Sequence, residues 1–268
     1  YLTEGRNWLE LAQERIGKNA SPETRHKLVI TLAWLARSQG DYETAQNAYQ
    51  ENLAESRAQN DKPKIALLNR GLGQVAYEQG DLAEARNFFE EGLVISREIN
   101  DKFIISTLLN SLGDLARTEN KIAESHKFYE ESLAIFREIG NTQAVSGSYI
   151  NLGGVAYAEE DYENSYLYFS KALHAAQELG NKINFSYSLD GIAAIFVQRE
   201  DWFNAARLAG AAEHLREIIG FEREPAEKQF RNKYLSKLRA EMSEEEFNNA
   251  LKQGSKLKTD EIFILSAS

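Results

Sequence analysis

Cysteine is absent from this chain of 268 residues, and with it disulfides, thiol nucleophiles and cysteine metal ligands. There are only 3 prolines, and no β-branched run alternates with polar residues, so a sheet is not expected. No apolar stretch approaches the roughly 20 residues that a membrane helix needs, which makes a soluble, cytoplasmic chain the expectation. Basic residues are outnumbered, 31 Lys and Arg against 41 Asp and Glu, and the net charge of −10 argues against a general affinity for nucleic acid or anionic lipid. The four histidines, His26, His126, His174 and His214, are too scattered in sequence to suggest a metal or catalytic cluster. A phosphate loop is missing, and Gly71-Leu-Gly73-Gln-Val-Ala76 only mimics a dinucleotide fingerprint because no strand precedes it. Neither a cofactor nor a metal is expected, and no enzyme activity. The chain starts on Tyr1 and so reads as part of a longer protein.

What the chain has is a repeat. Leu72-Gly73 recurs as Leu112-Gly113 and Leu152-Gly153, a step of 40 residues (73 to 113 to 153), and the same step reaches Leu32-Ala33 and Ile192-Ala193. Three further columns keep this register. Asp41, Asp81, Asp161 and Asp201 follow a short turn and suit helix N-caps, with Asn120-Lys121 as the exception. Asn60, Asn100, Gly140, Gly180 and Gly220 each follow a helical run and suit the left-handed helix stop. The second helix of each unit carries a small residue early (Ala45, Ala85, Ala205), then an aromatic pair (Phe88-Phe89, Phe128-Tyr129, Tyr168-Phe169), then a leucine.

Leu-Gly, an aspartate turn, then Ala-x3-aromatic and leucine resemble the tetratricopeptide repeat. The resemblance implies an all-α fold, a right-handed superhelical solenoid of helical hairpins. The long period implies longer helices than usual. Residues 1–23 read as the second helix of a truncated repeat plus a connector ending in the helix start Ser21-Pro22. Residues 24–222 read as five hairpins and 223–268 as capping helices, with Ser243-x-x-Glu246 and Thr259 as helix starts. The fifth second helix departs from the pattern, with a small flat face over Ala205 to Ala212. The tail, from LAGAAEHLREIIG through EEEFNNALKQG to T-D-E-I, is similar to the end of bacterial regulators that join a STAND-class ATPase to C-terminal repeats, including LuxR-like transcriptional regulators. That resemblance implies a signal-sensing or partner-binding region.

In such a solenoid the first helices of successive hairpins line a concave groove. Counting helical faces from each Leu-Gly places Arg37, Arg70, Gln74, Tyr77, Asn110, Asp114, Arg117, Asn151, Tyr157 and Asp190 on that wall. The column four after the glycine alternates Arg37, Tyr77, Arg117, Tyr157, so neighbours are expected to stack or hydrogen-bond. Asn69, Asn110 and Asn151 do not fall in one column, so no regular asparagine ladder is expected. Guanidinium and amide groups there can grip a peptide backbone or a carboxylate. The functional expectation is a protein- or peptide-binding module that controls an ATPase elsewhere. Two alternatives stand beside it: a peptide receptor of the quorum-sensing type, and a scaffold that self-associates through the small face of its C-terminal region. A polar surface without any ligand is the bland alternative to all three.

Overall fold

The computed structural model describes residue 11, residues 21–220 and residues 225–267. The truncated repeat expected at residues 1–23 therefore lies almost wholly outside the described residues. Among the described residues there are thirteen helices and no strand. Ten of them form five hairpins: α1 (Pro22–Ser38) with α2 (Tyr42–Ala58), α3 (Lys62–Gln79) with α4 (Leu82–Glu98), α5 (Lys102–Thr118) with α6 (Ile122–Glu138), α7 (Thr142–Ala158) with α8 (Tyr162–Glu178), and α9 (Lys182–Gln198) with α10 (Trp202–Ile219). Each of the ten is 17 or 18 residues long, as the long period implies. Three more follow: α11 (Pro225–Glu241), α12 (Glu244–Gly254) and α13 (Thr259–Ser266).

The caps explain where each helix begins and ends. Asp41, Asp81, Asp161 and Asp201 all accept the backbone N–H three residues on, and Asp61, Asp101, Asn141 and Asn181 do the same between hairpins. Asn60, Asn100, Gly140, Gly180 and Gly220 have φ of 53°, 53°, 70°, 63° and 61°, so the helix-stop column is left-handed throughout. Glu160 and Glu200 adopt φ of 62° inside their hairpin turns, a conformation that glycine reaches at lower cost. Ser21 caps α1 as expected, accepting from Thr24 N, and Ser243 and Glu246 form the expected reciprocal capping box, whereas Lys258 occupies the N-cap position expected for Thr259.

The Leu-Gly column has a steric cause. A Cβ on Gly73 would meet the Phe89 ring at 2.5 Å, one on Gly113 the Tyr129 ring at 2.6 Å, and one on Gly153 the Phe169 ring at 3.0 Å. Glycine on the first helix thus makes room for the second aromatic of each pair, and all three rings are buried. Positions 125 and 165, where the small column has serine, are buried too. Ser125 Oγ donates to Gly113 O and Ser165 Oγ to Gly153 O, both at 2.8 Å, which ties the two helices of a hairpin together.

The chain divides into two compact units, Tyr1–Ile135 and Phe136–Ser268. In the first, α2 packs against α3 and α4 against α5. Its core centres on Tyr49, Leu68 and Leu72, and on Phe89, Leu108 and Leu112. In the second, α11 packs on α9, and α12 packs closely on α10. Gly210 faces the backbone of Leu251, and Gly254 that of Arg207, so a side chain at either glycine would collide with main chain. The small face from Ala205 to Ala212, expected as a self-association surface, is buried inside this unit with α12 against its helix. It is an internal packing face.

Candidate functional site

In the first unit the wall is built by α1, α3 and α5. Arg37 on α1 forms an ion pair with Glu78 on α3. Gln74 Nε2 donates to Glu78 Oε1 at 3.0 Å, so Glu78 is held from two sides. One repeat on, Tyr77 OH meets Thr118 Oγ1 at 2.7 Å, and Thr118 donates to the Asp114 carbonyl at 3.0 Å, which leaves the tyrosine as donor. In the second unit Gln198 Nε2 donates to Tyr157 OH at 2.7 Å. These three bonds all span 41 residues. Each joins the position four after one Leu-Gly to the position five after the next, so the stacking or hydrogen bonding expected between column neighbours takes the form of polar bonds to the adjacent column.

Asp114 is the hub of the first unit's wall. Its carboxylate accepts from Tyr129 OH at 2.6 Å, from Asn110 Nδ2 at 3.4 Å, and lies 3.8 Å from Arg117 Nη2. Tyr129 is buried, and burial together with the Asp114 charge pushes its phenol well above the usual tyrosine range, so it stays a donor. For Arg117 burial works against the charge, but Tyr129, Asp114 and Tyr77 outweigh it and hold the guanidinium above its ordinary value. Arg70 goes the other way. Burial, and then the positive charge of Arg37, lower its pKa, with only partial relief from Tyr49 and Asp114. Among the described residues Arg70 makes no ion pair, while Arg37 has Glu78.

Both Arg70 and Arg117 keep more than a third of their surface open to water, yet both feel a strong desolvation penalty from surrounding protein. Open access combined with dense surroundings is what a concave wall produces. Both guanidinium groups remain open to solvent while protein surrounds their stems. Tyr49, which sequence counting did not pick, lies beneath: it is 5% exposed, and a Cβ on Gly71 would meet its ring at 2.8 Å. Burial raises its phenol pKa, opposed by Arg37 and Arg70, which places all three groups together.

The remaining candidates sit differently. Asn151 is half-buried on α7. Tyr157 has its ring edge-on to Tyr162 and Phe230, with centroids 5.4 Å away in each case, so α11 lies against it. Asp190 is 4% exposed and bonded to Arg231 and Tyr234 of α11. Asn69 is fully buried and its amide atoms have no partner among the described residues, so it does not face the wall. The outer face is different in kind: Arg57 pairs with Glu91 at 2.6 Å and Arg97 with Glu131 at 2.8 Å, all four half-exposed.

The sequence matches the model of the MalT-like TPR region over residues 16–259. The chain belongs to the MalT-like TPR region family. A comparison with curated proteins finds no match. Among solved structures, a STAND (Signal Transduction ATPase with Numerous Domains) protein with a tetratricopeptide repeat sensor from Pyrococcus horikoshii is similar, at a TM-score of 0.69 and 16% identity, over 94% of this chain and 39% of that one. BtubC from P. vanneervenii is similar at 0.66 and 22% identity, over 84% and 93%. A Rap protein complexed with competence and sporulation factor is similar at 0.65 and 10% identity, over 94% and 72%. At these identities the likeness is one of fold. As a MalT-like TPR region the chain is a helical repeat module, a type of fold that presents binding surfaces. Among the described residues no helix is long and apolar enough to cross a membrane.

Proposed function

We propose that this chain is a non-enzymatic binding module whose inner wall takes a peptide or protein segment through a carboxylate, and that it is the sensing part of a larger regulator with a STAND-type ATPase. The observation that carries the proposal is Arg70: a water-accessible guanidinium without an ion pair among the described residues, beside a second cation, in a chain of net charge −10. An incoming carboxylate relieves the repulsion between Arg70 and Arg37, and can be held bidentately by the planar guanidinium. Tyr77, Asn110 and Arg117, gathered about Asp114 beside Arg70, would supply a ring, an amide and a third cation. Asp114 lies between the arginines and selects against a ligand that places two negative charges side by side. The sensing role is supported by family membership and by the fold shared with a STAND protein that has a repeat sensor. A second reading, a peptide receptor with an output domain other than an ATPase, is favoured by the fold shared with Rap proteins complexed with peptides.

The test is selection from a display library of random peptides with free C-termini, followed by calorimetric titration of the selected peptide. Arg70→Ala and Arg117→Ala should each weaken binding about tenfold, roughly 1.4 kcal/mol. Glu131→Ala on the outer face should leave it within about twofold, since exposed ion pairs contribute little. Equal affinity across all three variants refutes the wall as the site. The coding sequence on the N-terminal side separates the two readings: a nucleotide-binding module there supports the first, any other output domain the second.

A further inference from the structure

A cleft lies in the C-terminal unit, and its lining includes none of the wall residues. The end of α8, the start of α9, the end of α10, the α12–α13 connection and the start of α13 enclose a cleft of about 740 Å³. That is within the range of roughly 300–1,000 Å³ typical of small-molecule sites. Its floor is apolar, formed by Phe185, Leu215 and Ile262 among others. Ile218 stands at the mouth with 61% of its surface exposed. Its rim carries Lys182 and Lys256, and among the described residues the lining includes no aspartate or glutamate.

This composition is unusual for the chain. Acidic residues outnumber basic ones, 41 to 31, yet among the described residues the charged side chains lining this cleft are lysines. Among the described residues neither lysine makes an ion pair, so both ammonium groups are available to a ligand. Two of the other polar lining groups supply donors. Asn181 has its side-chain oxygen committed to the Asn184 N–H, leaving the amide NH2, and Thr259 contributes a hydroxyl. His214 lies 3.8 Å from Glu217. An apolar floor under a cationic, donor-rich rim fits a molecule with an aliphatic body and one anionic end. A diffuse or doubly charged anion would leave the floor unused, and a neutral lipid would leave the lysines unused.

We infer that this cleft binds an apolar monocarboxylate, an aliphatic chain ending in a carboxylate, supplied either as a free fatty acid or as the C-terminus of a peptide whose last residue is aliphatic. The aliphatic part lies against Phe185, Leu215 and Ile262, and the carboxylate meets Lys182 and Lys256. The site is separate from the arginine wall, and neither depends on the other.

The probes are decanoate, 1-decanol, and an acetylated pentapeptide ending in leucine as free acid and as amide. Binding is read by calorimetry and by methyl shifts of the leucines and isoleucines in the cleft. Decanoate or the free-acid peptide should bind saturably, at least about tenfold tighter than the matching alcohol or amide. The Lys182→Ala/Lys256→Ala double variant should lose that preference while melting like the parent, because both side chains are exposed. Ile218→Trp, which narrows the mouth, should weaken acid and alcohol alike, and Glu131→Ala should change nothing. Decanoate binding alone assigns a free acid as the ligand, and peptide binding alone assigns a C-terminus. Equal affinity for acid and alcohol, no effect of the double variant, or no saturable binding by either acid overturns the inference.

Discussion

Removing the Asp190 carboxylate should undock α11. Asp190 on α9 is 4% exposed and Arg231 on α11 is 7% exposed. Arg231 donates to Asp190 Oδ1, to Tyr234 OH at 2.8 Å and to the Ala209 carbonyl at 3.0 Å, and Glu213 lies 3.2 Å from its other terminal nitrogen. Tyr234 OH in turn donates to Asp190 at 2.5 Å, so one carboxylate closes two bonds to α11. Burial disfavours the Arg231 charge, and Asp190, then Tyr234 and Glu213, more than restore it. Asp190→Ala leaves a buried guanidinium whose remaining carboxylate, Glu213, is half-exposed. Breaking a buried pair by deleting one partner costs about 3–5 kcal/mol, and Glu213 places the expected loss near the lower end. The measurement is urea unfolding followed by Trp202 emission, because Lys237 of α11 sits over that ring at 5.5 Å. Amide exchange over residues 225–241 should rise in parallel, while residues 62–118 stay protected, since repeat units open locally. Asp190→Leu combined with Arg231→Met removes both charges and should recover most of the loss, because a well-packed apolar pair matches a buried ion pair. A single-variant loss under about 1 kcal/mol with unchanged exchange would refute the claim that this network holds α11.

Two further changes test the packing and the acid stability. Gly113→Ala drives a Cβ to 2.6 Å from the buried Tyr129 ring and should destabilise by about 1–3 kcal/mol, whereas Gly154→Ala on α7 meets nothing within 4 Å and should stabilise by up to about 1 kcal/mol. Thermal melts of the pair decide, and equal shifts would deny the glycine–aromatic contact. Hydrogen bonding to Arg86, opposed in part by burial, lowers the Glu119 pKa below its ordinary 4.5. A depressed carboxylate contributes stability that is fully present above 4.5 and is lost as pH falls through the folded value. Glu119→Gln should therefore flatten the acid limb of a pH–stability curve and leave its slope at neutral pH unchanged. An unaltered acid limb would show that the Arg86 pair does not form in solution.

The columns legible in the sequence are those whose cause is local. A cap at Asp81 needs only the N–H of Glu84, and a helix stop at Gly180 needs only its own φ of 63°. The Leu-Gly signal reaches 16 residues at most, from Gly73 to Phe89, within one hairpin. What sequence counting misplaced depends on segments that return from further along. Asp190 has the face of a wall residue, and it is α11 that covers it, through Arg231 at a separation of 41. The face from Ala205 to Ala212 looks unpartnered until α12 packs on that helix. Glu160 and Glu200 hold left-handed turns that their residue type does not announce, because capping by Asp161 and Asp201 fixes the chain around them. The wall itself follows a rule that only geometry reveals: position four after a Leu-Gly bonds to the residue 41 further on, as in Arg37 with Glu78, Tyr77 with Thr118 and Tyr157 with Gln198. Arg117 has a looser contact instead, 3.8 Å to Asp114 on its own helix. The same column that commits three of its members to structural bonds thus leaves its central arginine the least committed, which is the property a ligand-gripping cation requires.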